Sequence, residues 1–217
     1  MIISAKNLQK SYGKLHVLKG VSIDIPEGKI IAITGKSGAG KSTLLHILGT
    51  LDKADQGEIS FKGEKLNFKN DKELSKFRNK RIGFVFQFHH LLPEFTAIEN
   101  VMLPALLDGM PKADAEKKAI EIMDKLGLAA RRDHKPSELS GGEQQRTAVA
   151  RALINNPLVI FADEPSGNLD SENAKSLHEL FVKLRDDMGQ TFVIVTHNME
   201  LANIADVHVQ MQDGNII

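Results

Sequence analysis

Eight residues, GKSGAGKS from Gly35 to Ser42, constrain this chain more than any others. They follow a compact apolar run, KIIAIT (Lys29–Thr34), and lead into STLLHILGTL (Ser42–Leu51), whose apolar residues recur at helical spacing. A short apolar run reads as a buried strand, so the order is strand, glycine loop, helix. The glycines let the backbone curl until successive N–H groups face one point, and the helix behind them adds the positive end of its dipole. Such a loop is a phosphate cradle, built here from Gly35, Lys36, Ser37, Gly38, Ala39, Gly40, Lys41, Ser42 and Thr43. Lys41 is long enough to reach the β- and γ-phosphates of a nucleotide, and the Ser42 hydroxyl suits Mg²⁺.

A loop of this kind needs a sheet to hold it, and the rest of the chain supplies the strands. IISAKNL, HVLKGVSIDI and GEISFKG, all within the first 63 residues, are β-rich or alternating segments punctuated by glycine. IGFVFQ (Ile82–Gln87), LVIFAD (Leu158–Asp163) and TFVIVTH (Thr191–His197) have buried-strand character. Between the last two, SENAKSLHELFVKLRDDM is amphipathic and opens at Ser171. From about Pro93 to Ala152 the pattern is helical, with Ala115, Ala119, Ile122, Met123 and Leu126 on one face and Gly127 as a stop. Strands alternating with helices predict a mainly parallel sheet covered on both faces, with a helical insertion.

LVIFADEP completes the chemistry that the first loop begins. Asp163 ends an apolar strand and Glu164 follows it directly. Two carboxylates at the end of a buried strand need a compensating partner, because unpaired buried charge is costly. Mg²⁺ for Asp163 and a nucleophilic water for Glu164, acting as general base, supply one. A second cradle stands at LSGGEQQR, where Ser140, Gly141 and Gly142 open a helix with no lysine beside them.

Composition narrows the setting. Lysine plus arginine number 28, as do aspartate plus glutamate, and this balance argues against a nucleic-acid partner. The absence of cysteine rules out disulfides and thiolate-ligated zinc. No apolar run approaches the ~20 residues that span a bilayer, and MIISAKNLQKSYG lacks the apolar core of a secretory leader. These features predict a cytosolic chain that meets a membrane only through a partner. His89 and His90 are adjacent, so they point apart, and no third ligand accompanies them as a metal site would need. KNDKELSKFRNKR (Lys69–Arg81) is basic enough to touch lipid headgroups, but its interleaved acids favour a solvated helical face.

Taken in order, Tyr12, the glycine loop, Gln87, LSGGEQQR, DEP, NLD and VTH resemble the ATP-binding-cassette (ABC) ATPases over essentially the whole chain. The resemblance implies an α/β fold: a P-loop NTPase (RecA-like) core with an N-terminal antiparallel β subdomain and an inserted α-helical subdomain. It divides the single domain into a core of residues 1–87 and 156–217 and a helical subdomain of 88–155. In the family two cassettes pair head to tail, each ATP lying between one P-loop and the partner's LSGG segment. The second cradle then serves the partner's nucleotide, so Ser140, Gly141, Gly142 and Glu143 are expected to bind ATP in trans within a homodimer. The resemblance further gives Tyr12 to adenine stacking, Gln87 to Mg²⁺ or the attacking water, His197 to the γ-phosphate and Asp170 to the dimer contact. ATP and Mg²⁺ are the implied cofactors, with Ser42, Gln87 and Asp163 as metal ligands and Glu164, His197 and Gln87 as the catalytic set.

Within the family, GNLD and the stretch FQFHHLLPEFTAIENVMLPALL (Phe86–Leu107) resemble the branch of lipoprotein-releasing, macrolide-export and cell-division cassettes. Ser166 stands where that branch commonly has threonine, which keeps the hydroxyl. The resemblance implies a permease docking near residues 87–107, with His89, His90, Leu91, Leu92 and Glu94 as its surface, although Leu91 and Leu92 could equally be core. Lipoprotein release, on the cytoplasmic side of a bacterial inner membrane, is the expected role. Efflux or cell-division work, a nucleotide-gated scaffold and an ATPase acting on nucleic acid are the alternatives.

Overall fold

The apolar runs become the strands of one sheet. β3 (Ile30–Gly35), β6 (Ile82–Phe86), β7 (Val159–Asp163), β8 (Thr191–Val195), β9 (Val207–Gln212) and β10 (Asn215–Ile216) lie in the order β10-β9-β3-β8-β7-β6. All pairs are parallel except β10 with β9. The computed structural model describes every residue except 68 and 69.

Both faces of this sheet are buried, and the two-residue period of a strand sorts its side chains between two cores. Ile30, Ile160, Ala162, Phe192 and Ile194 face one core, with the helices that follow β6. Ile31, Ile33, Val159, Phe161, Val193 and Val195 face the other, beneath the N-terminal strands. Each fully buried isoleucine or phenylalanine here removes apolar surface worth about 1.5–3 kcal/mol from water.

The second sheet is antiparallel. β1 (Ile3–Tyr12) pairs with β2 (Leu15–Ile25) on one side and β4 (Gln56–Phe61) on the other, and β5 (Glu64–Lys65) extends β4. It covers α1 (Lys41–Leu48), whose Leu44, Leu45, Ile47 and Leu48 complete the second core.

The helical stretch comprises α3 (Ala97–Leu107), α4 (Lys112–Lys125) and α5 (Gly141–Leu153), with short 3₁₀ turns at Ala129–Arg131 and Pro136–Glu138. Thr96 and Glu99 close a reciprocal capping box that fixes the start of α3. In α4, Ala115, Ala119 and Met123 are buried as their spacing predicts, and the helix ends just before Gly127. The amphipathic segment after β7 is α6 (Ser171–Met188), burying Leu177, Phe181 and Leu184. A five-residue helix, α7 (Met199–Asn203), follows β8.

The basic segment before β6 is α2 (Asp71–Arg81), which buries Leu74 and leaves most of its charges in water. Lys69, at the start of that segment, lies outside the described residues.

Candidate active site

The glycine loop joins β3 to α1, and its backbone is held from two sides. At Gly35 φ is +147° and an added Cβ would lie 2.1 Å from the Met211 carbonyl oxygen, so β9 leaves no space for a side chain there. Gly40, with φ +94°, opens α1. The Lys41 ammonium donates to the carbonyls of Gly35 at 2.9 Å and Lys36 at 3.0 Å, which folds the cation over the loop. A cleft of about 560 Å³ opens above it and is lined by Tyr12, Gly38, Lys41, Ser42, Thr43, Glu164 and His197, among others. Glu164 and His197, 152 and 185 positions beyond Tyr12, thus share one cleft with it and the loop, since β3, β8 and β7 are consecutive in the sheet and end together.

The acidic pair meets the loop at its mouth. Ser42 donates to Asp163 at 3.2 Å, and burial pushes the Asp163 carboxyl above its ordinary range despite that bond. Two hard oxygen donors side by side, one of them a carboxylate in need of a cation, fit Mg²⁺. Among the described residues no group of three or more His, Cys, Asp or Glu could hold a metal ion. That donor set matches an ion completed by substrate phosphate and water. Glu164 has φ +46°, an uncommon backbone for a residue with a side chain, costing about 1 kcal/mol. Its N–H donates to the Val195 carbonyl at 2.9 Å, and its carboxylate lies 2.9 Å from Nδ1 of His197. Gln87 leaves the end of β6 and donates to Asn168 at 2.8 Å, while Asn168 donates back to the Gln87 carbonyl at 3.2 Å.

The second cradle is formed but faces elsewhere. Ser140 caps α5: its hydroxyl accepts the Glu143 N–H at 3.3 Å, and the Glu143 carboxylate accepts the Ser140 N–H at 2.8 Å. Arg131 donates to the same carboxylate at 2.7 Å, and together these bonds hold Glu143 down at about 2. Gly141 is exposed, whereas Gly142 is buried against Asn173. None of Ser140, Gly141, Gly142 or Glu143 lines the cleft above the glycine loop. Asp170 caps α6, accepting the Asn173 N–H at 2.8 Å and its side-chain amide at 2.7 Å.

The loop after Gln87 is fixed from inside. His89 turns its half-buried ring to Gln145 instead of outward, and Arg151 donates to the carbonyls of His89 and His90. Buried Asn100 donates to the carbonyls of Leu92, Phe95 and Thr96 and accepts the Leu92 N–H. Leu92 and Glu94 are exposed, Leu91 is half-buried, and Phe88 is 67% exposed. Beside this loop a groove of about 870 Å³ runs between α2, β6 and α3, with Leu107 on its wall 80% exposed.

The residues that reasoning from sequence passed over are those bound to the named ones: Asn168 on Gln87, Gln145 on His89, Asn100 and Arg151 on the loop. Phe88, an aromatic directly after Gln87, carried a signal in its position alone.

Residues 18–167 match the family model described as ABC transporter. The lipoprotein-releasing system ATP-binding protein LolD of Bacteroides fragilis is 58% identical over 216 residues, covering 100% of both chains. LolD of Aquifex aeolicus is 46% identical, covering 100% of this chain and 96% of the relative. The dimeric structure of MJ0796, a bacterial ABC transporter cassette, superposes with a TM-score of 0.89 at 42% identity, covering 99% of this chain and 96% of the other. The same cassette is also known as a dimer in a post-hydrolysis state bound to ADP and Pi, with a TM-score of 0.89 at 41% identity and the same coverage. Among the described residues no helix is long and apolar enough to cross a membrane.

Proposed function

Because this chain belongs to the ABC transporter family and is an ATP-binding ATPase subunit, we propose that it works as a head-to-tail homodimer that powers lipoprotein release through a membrane permease. The observation that carries the dimer is the separation of the two cradles: the glycine-loop cleft takes none of its lining from Ser140–Glu143. A second copy, related by a two-fold axis, supplies each cradle with its complement. The dimeric state of the MJ0796 cassette supports this arrangement.

In each composite site Gly35–Thr43 hold the phosphates, Tyr12 stacks on adenine, and Ser140, Gly141, Gly142 and Glu143 reach the nucleotide from the partner, where Asp170 adds a dimer contact. Ser42, Asp163 and Gln87 would hold Mg²⁺, which when bound neutralises phosphate charge. Glu164 takes the proton of the attacking water, while His197 orients Glu164 and meets the γ-phosphate. The reaction is ATP + H₂O → ADP + Pi, and its catalysis is mainly placement and charge stabilisation. Residues 1–87 and 156–217 form the core that binds nucleotide, and 88–155 the subdomain that moves on closure.

The permease docks on the loop after Gln87 and in the adjoining groove, where Phe88, Leu92 and Leu107 offer apolar surface. The strong likeness to LolD proteins over the full chain supports lipoproteins as cargo and the cytoplasmic face of the inner membrane as the place of work. Tagged Glu164→Gln protein, trapped with ATP and Mg²⁺ in detergent-solubilised membranes of its host, tests the assignment. Recovery of a permease together with lipoprotein is expected. Recovery of an efflux or septal protein keeps the ATPase and removes the cargo.

A further inference from the structure

Tyr12 is the one tyrosine in a chain without tryptophan, and it stands at the end of β1. Half of its surface is exposed, and the ring lines the nucleotide cleft. An aromatic so exposed at a strand end is ordinarily free to change rotamer. Here its hydroxyl donates to Asp52 Oδ2 at 2.6 Å. The other oxygen of Asp52 accepts the Lys10 ammonium at 2.8 Å and the Lys53 N–H at 2.7 Å. Lys10 is itself nearly buried, and it also donates to the Lys53 carbonyl at 2.7 Å. Its ammonium stands 5.0 Å from the Tyr12 ring centroid, yet Lys10 does not line the cleft. Thr43, in the first turn of α1, lines the same cleft as the ring.

We infer that Asp52 and Lys10 are positioning residues for the nucleotide base: together they lock the Tyr12 ring in one orientation at the cleft and so set the part of ATP affinity that depends on adenine. This rests on the reading of Tyr12 as the adenine platform. A free ring has to be immobilised at the moment of binding, whereas a ring already held by Asp52 has met that cost during folding. The buried Lys10 ammonium needs a counter-charge for its own sake, so the carboxylate that receives the phenol is itself fixed. The clamp also ties the platform to the phosphate loop, since Asp52 closely follows α1, the helix that the loop opens.

Binding of ATP and of inorganic tripolyphosphate, measured by calorimetry on the full chain with Mg²⁺, separates base from phosphate. Asp52→Ala is expected to weaken ATP about fivefold and leave tripolyphosphate unchanged, with KM for ATP rising in step and kcat at saturating ATP retained. Tyr12→Phe, which keeps the ring and the Lys10–Asp52 pair, should weaken ATP alone in the same direction. If both variants bind ATP as wild type does while Tyr12→Ala loses affinity, the clamp is wrong and stacking stands. If Tyr12→Ala also binds normally, the platform itself is wrong. Equal losses of ATP and tripolyphosphate in Asp52→Ala would assign Asp52 to the fold of the phosphate loop and overturn the proposal. A second readout needs no ligand. The hydrogen bond to Asp52, with burial, holds the phenol above its ordinary pKa of 10.0, and absorbance titration reads Tyr12 alone. Asp52→Ala should bring that titration back down, and an unchanged one would contradict the clamp.

Discussion

The Glu164 carboxylate is held twice by His197, accepting its backbone N–H at 3.2 Å and lying 2.9 Å from its Nδ1. The two residues come from adjacent strands, Glu164 just past β7 and His197 just past β8. A carboxylate beside Nδ1 keeps the proton on that nitrogen and leaves Nε2 facing away. These contacts fix the Glu164 carboxylate, while the His197 side chain itself remains 74% exposed.

Replacing Glu164 by glutamine should lower kcat by about 10²–10⁴-fold while ATP still binds, because the amide keeps the shape and loses the basicity. Single-turnover hydrolysis and equilibrium ATP binding on the same preparation check this. Equal turnover in wild type and variant would remove Glu164 from the role of base.

The two glycines of the second cradle should part company. A Cβ on Gly142 would lie 2.1 Å from the Asn173 side-chain oxygen, and Asn173 cannot retreat without releasing its amide from Asp170. Gly142→Ala is expected to cost about 1–2 kcal/mol, read as a fall in Tm of about 2–8 °C for a chain of this size. A Cβ on Gly141 meets only Leu169 at 3.7 Å. Gly141→Ala should melt like wild type and yet form fewer ATP-dependent dimers, by sedimentation in the Glu164→Gln background.

Glu143 makes part of the stability acid-sensitive. Its carboxyl is held at about 2 by the Ser140 N–H and Arg131, against an ordinary 4.5. A depressed folded-state value means that the stabilisation is complete above pH 4.5 and is lost as pH falls toward 2. Partial exposure limits it to about 1 kcal/mol. Denaturant melts across that window should show wild type losing its advantage over Glu143→Gln as the solution is acidified.

Leu107→Glu places a charge on the exposed wall of the groove beside α3. The variant should keep its Tm, since Leu107 packs little, and should fail to co-purify with the permease. Retained co-purification would move docking away from the groove.

Much of the site is local in sequence and so could be read from it. The strand–loop–helix around Gly35–Ser42, the carboxylates after LVIFA and the glycine-opened helix mouth at Ser140 each declare themselves within a few residues, because backbone curvature, strand burial and the exposed N–H groups of a helix start are short-range effects. The alternation of apolar strands with helical stretches likewise predicts a mainly parallel sheet with two covered faces.

What tertiary structure alone decided is which groups from distant segments share one place. Asp52 on Tyr12, Asn168 on Gln87, and Gln145 on His89 are partners brought together by strand order and helix packing. His89 reads from sequence as part of an outer surface, yet the buried Gln145 side chain draws its ring inward. A polar group inside a low-dielectric core must find a partner wherever the fold supplies one, and sequence spacing does not carry that information.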